Sequence, residues 1–128
     1  MKNILVLTGG ILLIMGLVRC HPFQKRALLG HWGGTSLTAQ GDSLALDPSD
    51  IHLTFLSKNR YEFLGTLKYK EQGTFRLEGN LLYTLDTSRA KAKEKAVEIL
   101  MLSKDSLHFR MNEHGQERIL KLKKLPKH

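Results

Sequence analysis

From residue 51 onward, apolar and polar positions alternate almost without interruption, the pattern of strands with one dry and one wet face. Ile51, Leu53 and Phe55 alternate with His52 and Thr54, and Tyr61 and Phe63 flank Glu62. Leu67 and Tyr69 alternate with Lys68 and Lys70, Phe75 and Leu77 with Arg76 and Glu78, and Leu81, Tyr83 and Leu85 with Thr84 and Asp86. Val97, Ile99 and Met101 lead into Leu107, Phe109 and Met111, and Leu120 and Leu122 close the series between Ile119, Lys121 and Lys123. The first member of each pair of sets is the predicted inward face. On this phase the acidic residues all fall outward.

Short polar segments punctuate these runs. Ser57–Arg60, Glu78–Asn80, Ser103–Ser106 and Glu113–Gln116 each separate two runs, and most supply the Gly, Asn or Asp of a tight hairpin turn. Gly65 interrupts a strand-like stretch and predicts a bulge or bend. Two connections are longer, Gln40–Asp50 and Thr87–Lys95. No helical period is present after residue 20, and there is no internal repeat. Eight or nine short strands joined by hairpins predict an all-β, antiparallel up-and-down meander. With one dry face on nearly every strand, the sheet closes on itself or covers another sheet, and closure into a barrel also removes exposed edges.

The N-terminus is of another kind. Met1-Lys2-Asn3 precedes an apolar run from Ile4 to Val18, which ends in Arg19 and Cys20, the sole cysteine of the chain. Fifteen apolar residues are short for a helix crossing a hydrocarbon core of about 30 Å. They fit the h-region of a secretory signal, about 7–15 residues behind a positive charge. Two readings follow: cleavage before Cys20 with lipid attachment, or an uncleaved signal anchor. Leu17-Val18-Arg19-Cys20 resembles a bacterial lipobox, with Arg19 standing where a small residue is usual. The resemblance implies residues 1–19 as a lipoprotein signal peptide and Cys20 as the lipidated residue. Residues 20–27 then form a polar tether and 28–125 the folded domain. Without a second cysteine, Cys20 has no intramolecular disulfide partner.

Composition narrows the function classes. The net charge is +8, and without Lys2 and Arg19 eighteen basic residues face twelve acidic ones. Basicity alone fits a solvated surface or an anionic membrane. No basic cluster is interleaved with stacking aromatics, so nucleic acid is not an expected partner. His31, His52, His108 and His114 lack ligand spacing, and no nucleophile stands beside a base in sequence. The expectation is no metal, no cofactor and no enzyme.

Leu28-Leu29-Gly30-His31-Trp32 places a Gly-x-Trp at the opening of the meander, and this resembles the first signature of lipocalins. Residues 28–125 as a whole resemble the short lipocalin-like domains of Bacteroidetes lipoproteins, through the Phe55–Tyr61 hairpin, Gly73-Thr74-Phe75 and Leu102–Leu107. The resemblance implies a lipocalin-like β-barrel, with the tryptophan at its closed end beneath a cation of the last strand. Lys124 takes that role here in place of the usual arginine. Gly30, Trp32 and Lys124 are then structural. The inward aromatics Phe55, Phe63, Tyr69, Phe75, Tyr83 and Phe109 admit two readings: a filled core, or the lining of a pocket for a small apolar or amphiphilic ligand. Arg89, Lys91, Lys93 and Lys95 likewise read either as a solvated loop or as a cover over an anionic group. The expected partners are the membrane, through the lipid, and either a small hydrophobic ligand or an envelope protein bound by a filled barrel. The expected place is the cell envelope. His21–Arg26 lacks the acidic stretch of surface-exported lipoproteins, and this points to the periplasmic face of the outer membrane.

Overall fold

A computed structural model describes residues 23–126. Cys20 and the apolar run before it lie outside the described residues. One helical turn, α1 (Lys25–Leu28), precedes β1 (Gly30–Ala39), β2 (Asp42–Ser43), β3 (His52–Leu56), β4 (Arg60–Leu64), β5 (Lys70–Glu78), β6 (Leu81–Asp86), β7 (Lys95–Leu102), β8 (Ser106–Glu113) and β9 (Gln116–Lys124). Every pairing is antiparallel and, from β3 to β9, joins sequence neighbours.

Closure is achieved by β1. Its first residues pair with β3, from Gly30↔Phe55 to Gly33↔His52, while Trp32↔Lys124 to Ala39↔Arg118 zip it to β9. Its far tip carries β2 as a two-residue flap. The result is an eight-stranded closed barrel with one additional short strand. The β3–β4, β5–β6 and β7–β8 turns share one end with α1, where Lys25 Nζ donates to Asn59 Oδ1 at 2.7 Å. The β4–β5, β6–β7 and β8–β9 connections ring the other end.

The interior follows the strand phases. Trp32, Leu53, Phe55, Tyr61, Phe75, Leu82, Ile99, Leu107, Phe109, Leu120 and Leu122 form one buried cluster. Burying each large apolar side chain of this kind contributes about 1.5–3 kcal/mol. Residues 23–126 hold the closed sheet, its core and α1, so the chain from His21 onward carries every element among the described residues.

Three local expectations are corrected. In β6 the inward face is Leu82, Thr84 and Asp86, because Leu82 lies opposite Leu77 and Thr84 opposite Phe75; Leu81, Tyr83 and Leu85 point outward. In β7 a register shift between Ile99 and Met101 turns Leu102 inward, opposite Leu107, and leaves Met101 exposed. Residues 66–68 form a tight 3-10 turn and not strand. Gly65 N–H donates to the Tyr69 carbonyl at 2.8 Å, and Leu67 stands 98% exposed at the tip. The bend expected at Gly65 therefore reverses the chain.

Candidate functional site

The two ends of the barrel differ in chemistry. At the α1 end, Leu28 is fully buried and plugs the opening. The Trp32 indole N–H donates to the Leu28 carbonyl at 2.8 Å. Lys124 lies over the indole, with Nζ 4.5 Å from the ring centroid, and donates to the Leu29 carbonyl at 2.6 Å. Gly30 makes room for this lysine: its φ is +125°, and a Cβ there would sit 2.7 Å from Lys124 Cε. Above this plug Phe55 and Phe75 meet edge to face, centroids 4.9 Å apart. Leu28, Trp32, Phe55, Phe75, Leu107 and Leu122 are all buried in this half.

The opposite half holds a cavity of about 550 Å³. Leu53, Phe63, Leu82, Phe109 and Leu120 give its apolar wall, and Tyr61, Tyr69, Glu71, Thr84 and Lys95 give its polar side. Its size falls in the range of small-molecule pockets. A second concavity, about 680 Å³, runs beside outward-facing His31, His52, Thr54, Glu62 and Gln72. It is the larger of the two and lies over the solvated faces of β3–β5, reaching Phe63 and Glu71 at its edge. The His31 and His52 rings meet there at 3.1 Å, with Thr54 Oγ1 3.2 Å from His31. Among the described residues, no group of three His, Cys, Asp or Glu side chains is placed to hold a metal ion.

Sequence phase accounts for the polar side of the inner cavity. Reading back from Leu77 and Phe75 through Gly73, the inward face of β5 reaches Glu71, which is 8% exposed. The expectation that all acidic residues face outward therefore fails here and at Asp86, also buried. Gly73 stands opposite Tyr61 on β4 and Asp86 on β6. A Cβ on Gly73 would lie 1.9 Å from the Leu85 carbonyl oxygen, so this close backbone approach requires glycine. Lys95 stands opposite Thr84 on the inward face of β7.

These residues form one network. Glu71 Oε1 accepts from the Tyr61 hydroxyl at 2.8 Å. Its Oε2 accepts from the Tyr69 hydroxyl and from Lys95 Nζ, each at 2.5 Å. Arg89 Nη1 donates to the Tyr69 hydroxyl at 2.8 Å, its guanidinium lies 4.8 Å from that ring centroid, and it pairs with Asp86 Oδ2 at 3.5 Å. Asp86 Oδ1 accepts from the Ser88 N–H and hydroxyl, whereas Oδ2, although buried, accepts no hydrogen bond. Burial by itself would raise the Glu71 pKa. The hydrogen bonds from Lys95, Tyr69 and Tyr61, with the Lys95 charge, outweigh it and hold Glu71 below the ordinary glutamate range. Burial first, then the Glu71 bond and charge, push the Tyr61 hydroxyl well above the usual tyrosine value.

The six aromatics read as candidate pocket lining separate into three groups. Phe63, Tyr69 and Phe109 line the cavity. Phe55 and Phe75 are buried in the packed half beneath it. Tyr83 lies outside the barrel, with the Arg76 guanidinium 4.0 Å above its ring, because it follows the outward phase of β6. Of the basic loop, Lys95 and Arg89 join the network and are paired with carboxylates. Glu71 and Asp86 were not singled out from sequence. The signal for Glu71 was present in the phase of Phe75 and Leu77, but its partner Lys95 is 24 residues away and two strands over.

The barrel has a solved counterpart. A lipocalin-like protein from Bacteroides uniformis superposes with a TM-score of 0.57 over 77% of this chain and 99% of its own, at 16% identity. Likeness at this identity shows the fold: the chain forms a lipocalin-like β-barrel. No family model matches the sequence, and no curated protein matches it.

Proposed function

We propose that this chain is a lipid-anchored envelope lipoprotein whose barrel binds a small apolar or amphiphilic molecule by excluding it from water. The observation that carries the binding reading is the 550 Å³ cavity, apolar on one side and polar on the other, above a packed floor. The fold supports it, since such barrels enclose ligands when side chains leave the centre unfilled. The anchor reading rests on the sequence around Cys20, and the lack of an acidic stretch in His21–Arg26 supports the periplasmic face of the outer membrane. The inner network holds its acids and bases in pairs, which suits recognition more than turnover.

Native mass spectrometry of the chain from His21 onward, expressed in a Gram-negative host, tests the binding. A co-purifying small molecule, or saturable uptake of an uncharged hydrophobic dye, is the expected result. A protein that stays empty and takes up no dye overturns the carrier reading in favour of an interaction module. For the anchor, a clickable fatty acid fed to cells should label the full chain, and Cys20→Ser should remove the label. An unlabelled wild-type chain would overturn it.

A further inference from the structure

The ligand class follows from the charge balance at the cavity, and it rests on the carrier reading above. We infer that the cavity selects amphiphiles with an uncharged polar head, such as an alcohol or amide, over both carboxylates and amines of the same chain length. Glu71 and Lys95 line its polar side and end a chain of two carboxylates and two cations joined in the order Asp86, Arg89, Tyr69, Glu71, Lys95. The neighbouring rim charge, Glu113, is also compensated, by Arg118 at 2.9 Å. The polar side therefore carries no net charge to offer an ion.

An anionic head docking on Lys95 meets Glu71, whose Oε2 is 2.5 Å from the same ammonium. A cationic head docking on Glu71 meets Lys95 and, through Tyr69, Arg89. An anion gains full pairing with Lys95 only by breaking its bond to Glu71, which leaves that buried carboxylate without its partner, and a cation on Glu71 has to share the carboxylate with Lys95 or displace it. An uncharged hydroxyl or amide avoids both repulsions. The ammonium has three donors and spends one on Glu71, and a carboxylate with about four acceptor sites receives three donors here. One head group that both donates and accepts uses these vacancies without disturbing a pair. The side chain of Lys95 is 55% exposed, so its remaining donors are reachable from the open end.

The test is competition against Nile red, an uncharged dye, on the chain from His21 onward. Decan-1-ol, decanoate and decylammonium are compared below their micellar concentrations at about pH 8, where the acid and the amine are both ionised. The alcohol is expected to displace the dye at about tenfold lower concentration than either ion, a difference of about 1.4 kcal/mol. Either ion competing as well as the alcohol overturns the inference. Two variants test its cause. Glu71→Gln leaves an excess of positive charge and should improve decanoate relative to decanol by about tenfold. Lys95→Met leaves an excess of negative charge and should improve decylammonium instead. Ratios unmoved in both variants overturn the charge-balance argument. If the wild-type protein binds no dye, the carrier reading falls with it; if dye binds but decanoate wins, the selectivity alone falls.

Discussion

Each end of the barrel uses a lysine, and the two lysines do different work. Lys124 lies over an indole and donates to a backbone carbonyl, in a plug built of Leu28, Trp32 and the Phe55–Phe75 pair. Lys95 donates to a buried carboxylate that two tyrosines also hold. The plug stabilises by filling space, and its polar groups only satisfy one another. At the open end, space is left unfilled and the polar groups point into it. On the proposed function, stability and binding are separated along one axis, so substitutions at the two ends should separate them in experiment.

The largest effect is expected from Trp32→Ala. The side chain is fully buried and its N–H holds α1 in place, so truncation removes packing and releases the plug together. A loss of about 3–5 kcal/mol is expected for such a truncation, read as a shift in urea midpoint. A shift below about 1 kcal/mol would mean that the closed end is not where the barrel is held together.

Glu71→Gln comes next and carries a pH signature. Removing a charge that accepts three hydrogen bonds should cost about 1–3 kcal/mol near neutrality. The folded pKa of Glu71 lies below its unfolded value, near 4.5, so its stabilisation is fully present above that value. It is lost as pH falls through the lower, folded value. The melting-temperature gap between wild type and variant should therefore close on acidification below about pH 4.5. A gap that widens as pH falls toward 4.5 would mean that folding raises the Glu71 pKa and does not lower it.

Lys124→Met is a smaller perturbation at the opposite end. The cation–π contact with Trp32 contributes about 0.5–1 kcal/mol, and the Leu29 carbonyl loses its donor. A total of about 1–2 kcal/mol is expected, with dye affinity unchanged because no part of the cavity is touched. If dye binding weakens in step with stability, the two ends are not separable.

What was legible in the sequence depended on whether one strand's pattern decided its own phase. β8 and β9 read correctly because Leu107, Phe109, Leu120 and Leu122 alternate with charged or histidine residues and no bulge intervenes. β7 reads correctly up to Ile99 and then misreads, since the shift before Met101 leaves no mark in a run where every residue from Ile99 to Leu102 is apolar. The polar network was less legible still. Its members come from β4, β5, β6, β7 and two connections, so their meeting depends on closure and register, which no local pattern encodes.

β6 is the clearest case and carries the smallest predicted effect. Leu81, Tyr83 and Leu85 make the more apolar face by composition, yet Leu82, Thr84 and Asp86 face inward. Neighbouring strands decide it: Leu82 packs opposite Leu77 and Val97, while Asp86 stands against the bare backbone of Gly73. The outward face keeps its stability through cross-strand cover, the Arg76 guanidinium lying on the Tyr83 ring. Tyr83→Ser removes this contact and should cost about 0.5–1 kcal/mol while leaving dye affinity alone. Phe63→Ser, in the cavity wall, should weaken dye binding clearly. Equal losses of dye binding in the two variants would place Tyr83 inside the barrel and reverse the phase assigned to β6.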